Sequence, residues 1–149
     1  MRAVVTRVTR ASVRVDDRLV GEVGQGYLVL LGVSRDDTDD DARWMAAKIS
    51  GLRIFTDPEG AMNCDLASVK GAVLLISQFT LHGDARKGRR PSFIDAAAEP
   101  LARPLYLRVG ELLEREKHPV AYGEFGATMA VESINDGPVT ILLDSKKLF

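Results

Sequence analysis

Ser77, Gln78 and Thr80 close an apolar run, Leu74-Leu75-Ile76, and are the first place in the chain where side chains could do chemistry. In extended geometry Ser77 and Phe79 point one way and Gln78 and Thr80 the other. Side-chain and backbone donors at such a strand end can converge on a carbonyl oxygen and stabilise an oxyanion. Thr80 also carries a nucleophile's hydroxyl, but a nucleophile needs a base. His82 follows two residues later, on the same strand face if the strand continues. A strand end emerging into water, followed by a lone surface histidine, explains the same residues without chemistry.

Beyond that strand, Arg86, Lys87, Arg89 and Arg90 make four of five consecutive residues basic, with Gly88 between them. Such a loop can contact phosphates, the glycine letting backbone approach closely; a solvated loop is the plain alternative. "NDGPVT", 135–140, reads as a turn, although a Gly-Pro bond also permits a cis peptide. "GEFGATM", 123–129, places two glycines around a Phe, as a turn or as a close approach of backbone to a ligand.

The bulk composition narrows the classes. The 149 residues are 46% hydrophobic and 28% charged, the balance of one globular domain spanning 1–149. Twenty Lys and Arg against 21 Asp and Glu give a net charge of −1, so any polyanion must be recognised by a local patch. One cysteine, Cys64, suits a reducing compartment, and one Cys with two His makes a zinc site an unsuitable expectation. The first residues alternate apolar and polar rather than forming a signal peptide, and no apolar stretch is long enough to span a membrane. A cytoplasmic location is the default expectation.

These residues need elements to position them. Alternation predicts strands over 3–8 and 11–15, a third over "RLVGEV", and a buried strand over "YLVLLGVS". Thr38 with Asp41 resembles a capping box for a helix through Trp44, Met45, Ile49 and Leu52, with Gly51 as C-cap. "LRIF" reads as a short strand, and "GAVLLISQFT" as the strand that ends in the polar residues. Residues 92–98 read as a short helix capped by Ser92, and 101–117 as a longer one with Pro104 in its first turn. "ATMAVESI" and "VTILLD" read as two strands joined by "NDGP". The fold class expected is α+β (mixed α/β), with a barrel-like, mostly antiparallel sheet and two to three helices.

Taken together, "LLISQFTL", "KGRRPSF", "FGATM" and "NDGPVT" resemble, in order and spacing, the D-aminoacyl-tRNA deacylases (the D-tyrosyl-tRNA(Tyr) deacylase family). The resemblance runs over nearly the whole chain, from "RVTRASVRV" through "VGEVGQGYLVLLGVS" and "DARWMAAKISGLRIF". It implies a homodimeric, cofactor-free and metal-free esterase. Such an enzyme would hydrolyse the ester joining a D-amino acid to the terminal adenosine of tRNA, with its pocket at the dimer interface.

Ser77, Gln78, Phe79 and Thr80 match the family's first motif and would form the catalytic strand end. Gly137 and Pro138 match the second, a cis Gly-Pro that reaches into the partner subunit's pocket and excludes an L side chain. A glycyl ester, having no side chain, would escape that exclusion. Arg86, Lys87, Arg89 and Arg90 would hold the tRNA, and neither DNA nor a membrane is an expected partner. The attacking water would be activated by the substrate's ribose 2′-hydroxyl, with Thr80 as covalent nucleophile the alternative. His82, Tyr122 and Thr128 depart from the family's pattern. The rival readings are a tRNA-end-binding module without hydrolysis and a serine or threonine hydrolase of small D-amino-acid esters.

Overall fold

The computed structural model describes residues 1–148. Its frame is a six-stranded sheet. The strands are β1 (Arg2–Val15), β2 (Arg18–Val23), β3 (Gly26–Gly32), β6 (Ala72–Ser77), β7 (Val120–Tyr122) and β8 (Ala130–Asp144). β1 pairs antiparallel with β2, β3 and β8, whereas β3–β6 and β6–β7 are parallel. The expected mixed, mostly antiparallel sheet is therefore present. A hairpin of β4 (Phe55–Thr56) and β5 (Met62–Cys64) stands apart from it. Gly21 lets β2 come so near β7 that a Cβ there would lie 2.7 Å from the Tyr122 carbonyl oxygen. The sheet thus curls into a nearly closed barrel.

Two helices cover the sheet, α1 (Asp39–Gly51) and α2 (Glu99–Arg115). Thr38 caps α1 with the expected box, its amide donating to Asp41 Oδ2 at 2.9 Å. Gly51 is the last helical residue, and Leu52, in extended conformation, is the C-cap. The core packs Met45 and Ile49 of α1 and Tyr106, Val109 and Leu113 of α2 against Val5, Val29, Val73 and Leu75. A second cluster, including Val8, Val13, Leu74 and Ile76, fills the barrel's other side. Burial on both faces explains the unbroken apolar run of β6. No helix among the described residues is long and apolar enough to cross a membrane.

Three expectations are corrected. Residues 92–98 are not helical, because their backbone groups are used elsewhere. Ser92 exchanges two hydrogen bonds with Asp84, Asp95 accepts from the Arg35 amide, and the Ala97 amide donates to Val33. The two strands predicted at 3–8 and 11–15 are one, with exposed Thr9 and Arg10 inside it. "NDGP" is not a turn between strands either, since β8 runs through it. There Thr6 pairs with Thr140 and Val8 with Asn135, so the segment is accommodated as a bulge. Pro138 has no N–H for a ladder, and Gly137 takes a positive φ of 120° closed to most side chains.

Candidate active site

β6 carries Ser77 to the sheet's end, opposite Leu31 of β3. The ladder continues one residue further, the Gln78 amide donating to the Leu31 carbonyl at 2.8 Å. The chain then turns into a short 3-10 helix, Phe79–His82. The strand does not continue through Thr80, which corrects the expected alternation of faces. Gly32 makes the turn possible, because a Cβ there would stand 2.7 Å from the Gln78 carbonyl oxygen and 3.2 Å from the His82 ring.

His82 is consequently buried rather than on the surface, and burial pushes its pKa below the ordinary imidazole value. Its Nε2 has no hydrogen-bond partner among the described residues. Thr80 is instead partnered by Gln78, whose side-chain amide donates to the Thr80 hydroxyl. An amide cannot accept a proton from a nucleophile, so this pair orients the hydroxyl without activating it.

A cavity of about 400 Å³ opens beside the strand end, lined by Ser77, Gln78 and Phe79. Its remaining walls include Glu99 and Tyr106 of α2 and Phe125 and Met129 of the loop before β8. The Tyr106 hydroxyl donates to the Leu75 carbonyl at 2.7 Å, tying α2 to β6, and burial raises its pKa. The "GEFGATM" loop therefore does approach the site. Glu99 and Tyr106 were missed in the sequence, where an acidic first turn and a helical-face aromatic look like ordinary helix features.

Among the described residues the cavity wall includes neither Thr80, nor Gly137 and Pro138, nor the basic loop. The Gly137–Pro138 bond is cis and lies in β8. β8 is separated from β6 by β1 and β3. The register offsets the two motifs along the strands as well, because Ser77 lies level with Ala3 of β1 whereas Gly137 and Pro138 sit in the bulge between the Thr6 and Val8 pairs. Gly137 rests on Arg7, a buried residue whose Nε lies 2.9 Å from Asp136 Oδ2. Arg86 is engaged by Asp84 through bonds of 2.8 and 2.7 Å, whereas Lys87, Arg89 and Arg90 are exposed and unpaired among the described residues. No group of three or more His, Cys, Asp or Glu is placed to hold a metal among the described residues.

The family model described as D-Tyr-tRNA(Tyr) deacylase matches residues 4–144. A protein of Anaeromyxobacter dehalogenans named D-aminoacyl-tRNA deacylase is 58% identical over 149 residues, the whole of both chains. A solved structure named c-Myc DNA Unwinding Element Binding Protein is 40% identical, with a TM-score of 0.90 over 97% of this chain and 98% of that one. A probable eukaryotic D-amino acid tRNA deacylase, 21% identical, shares the fold with a TM-score of 0.80 over 95% of this chain and 97% of the other.

Proposed function

The chain belongs to the D-Tyr-tRNA(Tyr) deacylase family, and from that premise we propose that it hydrolyses the ester between a D-amino acid and the 3′ end of tRNA. The observation carrying this reading is the cavity in which β6 ends, with Ser77, Gln78 and Phe79 on its wall and the Thr80 hydroxyl held by the Gln78 amide. Such a site works by positioning and by stabilising developing negative charge rather than through a nucleophile. The Phe79 amide, in the first turn of a 3-10 helix, has no acceptor within that helix and is the oxyanion donor we assign. Ser77 orients the ester, Gln78 and Thr80 fix the turn, and the ribose 2′-hydroxyl of the substrate activates water.

The chirality filter is Gly137–Pro138 of a second copy, because within one chain the motif lies across the sheet from the cavity. β8 supports the homodimer. It pairs only with β1 among the described residues and exposes Ile134 and Leu142. With the carbonyls of Gly137 and Pro138 lining the far wall, an L side chain is excluded, while a glycyl ester is accepted. Lys87, Arg89 and Arg90 contact phosphates of the tRNA, not of DNA, and the enzyme acts in the cytoplasm.

Catalytic turnover separates this reading from its rivals. Substoichiometric protein should release free D-tyrosine from D-tyrosyl-tRNA over many cycles. A module that only binds the tRNA end would protect the ester, and a small-ester hydrolase would act equally well on D-tyrosine methyl ester.

A further inference from the structure

Phe79, on the cavity wall, stands against Phe93. Their ring centroids are 5.2 Å apart at 73°, edge to face. Large aromatic side chains are ordinarily drawn into the core. Here Phe79 is 57% exposed and Phe93 38%, with Ile94 next to it at 72%. The pair is seated by the backbone beneath it. A Cβ on Gly83 would lie 3.0 Å from the Phe93 ring, so the missing side chain is what lets that ring settle. The paired backbone hydrogen bonds of Asp84 and Ser92 pinch off the segment between them. Phe93 and the basic residues thus leave one anchored base, with Lys87, Arg89 and Arg90 unpaired in the loop among the described residues.

We propose that the Phe79–Phe93 pair is a stacking platform for the unpaired nucleotide preceding the terminal adenosine, with the loop cations on its phosphates. Exposed aromatic faces beside uncompensated positive charge suit single-stranded nucleic acid, whose bases stack while its phosphates meet the cations. Charge complementarity favours this occupant over an apolar protein surface, which would leave the loop cations facing nothing. The inference rests on the deacylase reading and deepens it. Phe93 becomes a binding residue that senses the RNA body rather than the amino acid.

The probe is an unacylated oligoribonucleotide ending in CCA, compared with adenosine alone, in fluorescence anisotropy and competition. Phe93→Leu keeps an apolar side chain over Gly83, and Phe93→Trp keeps an aromatic one. We expect Phe93→Leu to weaken oligonucleotide binding about tenfold and Phe93→Trp to preserve it. Affinity for adenosine should change far less than affinity for the oligonucleotide. Equal oligonucleotide binding by wild type and Phe93→Leu overturns the platform, as does an equal loss for adenosine. Hydrolysis of D-tyrosyl-tRNA by the wild type separates the two ideas. If the ester survives while binding depends on Phe93, the platform stands and the deacylase reading falls. If the ester is cleaved and Phe93→Leu needs no more tRNA for half-maximal rate, the platform falls alone.

Discussion

Arg7 and Asp136 form an ion pair at 2.9 Å whose arginine end is buried and whose aspartate is half exposed. The same guanidinium donates to the Asp136 carbonyl at 3.3 Å and to that of Ile54, and a Cβ on Gly137 would lie 3.3 Å from it. Arg7 thus clamps the residues just before Pro138 onto β1. Arg7→Ala should lower stability by about 1–3 kcal/mol, because buried carbonyl acceptors lose their donor. It should also loosen the Gly137 segment, so discrimination between D and L esters falls more than the rate on the D ester. Denaturant melts and paired D/L assays check both. An unchanged D/L ratio would separate Arg7 from the filter.

Gly137→Ala adds a methyl group 2.8 Å from Val139 Cγ2 at a φ of 120°. The segment must move, and deacylation should drop at least about tenfold. If the motif acts across the interface, mixing Gly137→Ala with Ser77→Ala subunits restores one intact site per mixed dimer. Activity that stays absent in the mixed dimer would place the motif in its own subunit's site.

Thr80 is held by the Gln78 amide, a donor that cannot take its proton, and no hydrogen bond joins it to a carboxylate or imidazole among the described residues. Thr80→Ala should therefore slow the reaction modestly, and no acyl-enzyme should form at that residue. Rapid quench followed by mass spectrometry reads this directly. An ester-linked adduct on Thr80 would establish covalent catalysis instead.

The turn holding these residues carries a pH dependence. Burial lowers the His82 pKa from 6.5, with the Arg2 charge adding and a backbone bond to Gly32 opposing. A depressed histidine binds its proton more readily in the unfolded chain. The stability that His82 contributes is therefore fully present above its ordinary pKa of 6.5 and is lost as the pH drops below it. Urea midpoints at about pH 7.5 and about pH 5.5 should differ more for wild type than for His82→Phe. Equal falls would assign the loss to other groups.

Gly110 of α2 is the seat of Tyr122, for a Cβ there would lie 2.4 Å from the Tyr122 hydroxyl. That hydroxyl donates to Glu114 at 2.9 Å. Gly110→Ala should cost about 1–3 kcal/mol through overpacking against the α2 face. Combining it with Tyr122→Ala should recover part of that loss, since the two residues share one contact.

Much of this architecture was legible in the chain. Leu74–Ile76 announced a buried strand, Thr38 and Asp41 fixed the start of α1, and "RLVGEV" matched β2. What was hidden depends on distant partners. Ser92 and Ala97 satisfy a helix pattern but spend their backbone bonds on Asp84 and Val33. β7 is three residues long, too short for alternation to register. "NDGP" has turn chemistry, yet the long pairing of β8 with β1 carries the strand through it as a bulge. Tyr106 carries the apolar periodicity of any helix face, and only the position of α2 over the end of β6 makes it a cavity wall. The separation of Gly137 from Ser77 likewise becomes visible only once β1 and β3 are seen between them.

The most direct test is single-turnover hydrolysis of matched D-tyrosyl-, L-tyrosyl- and glycyl-tRNA by the wild-type protein. Rapid loss of the D and glycyl esters with the L ester spared is the predicted result. Survival of all three with folded, dimeric protein, or equal loss of the D and L esters, would contradict a chiral deacylase.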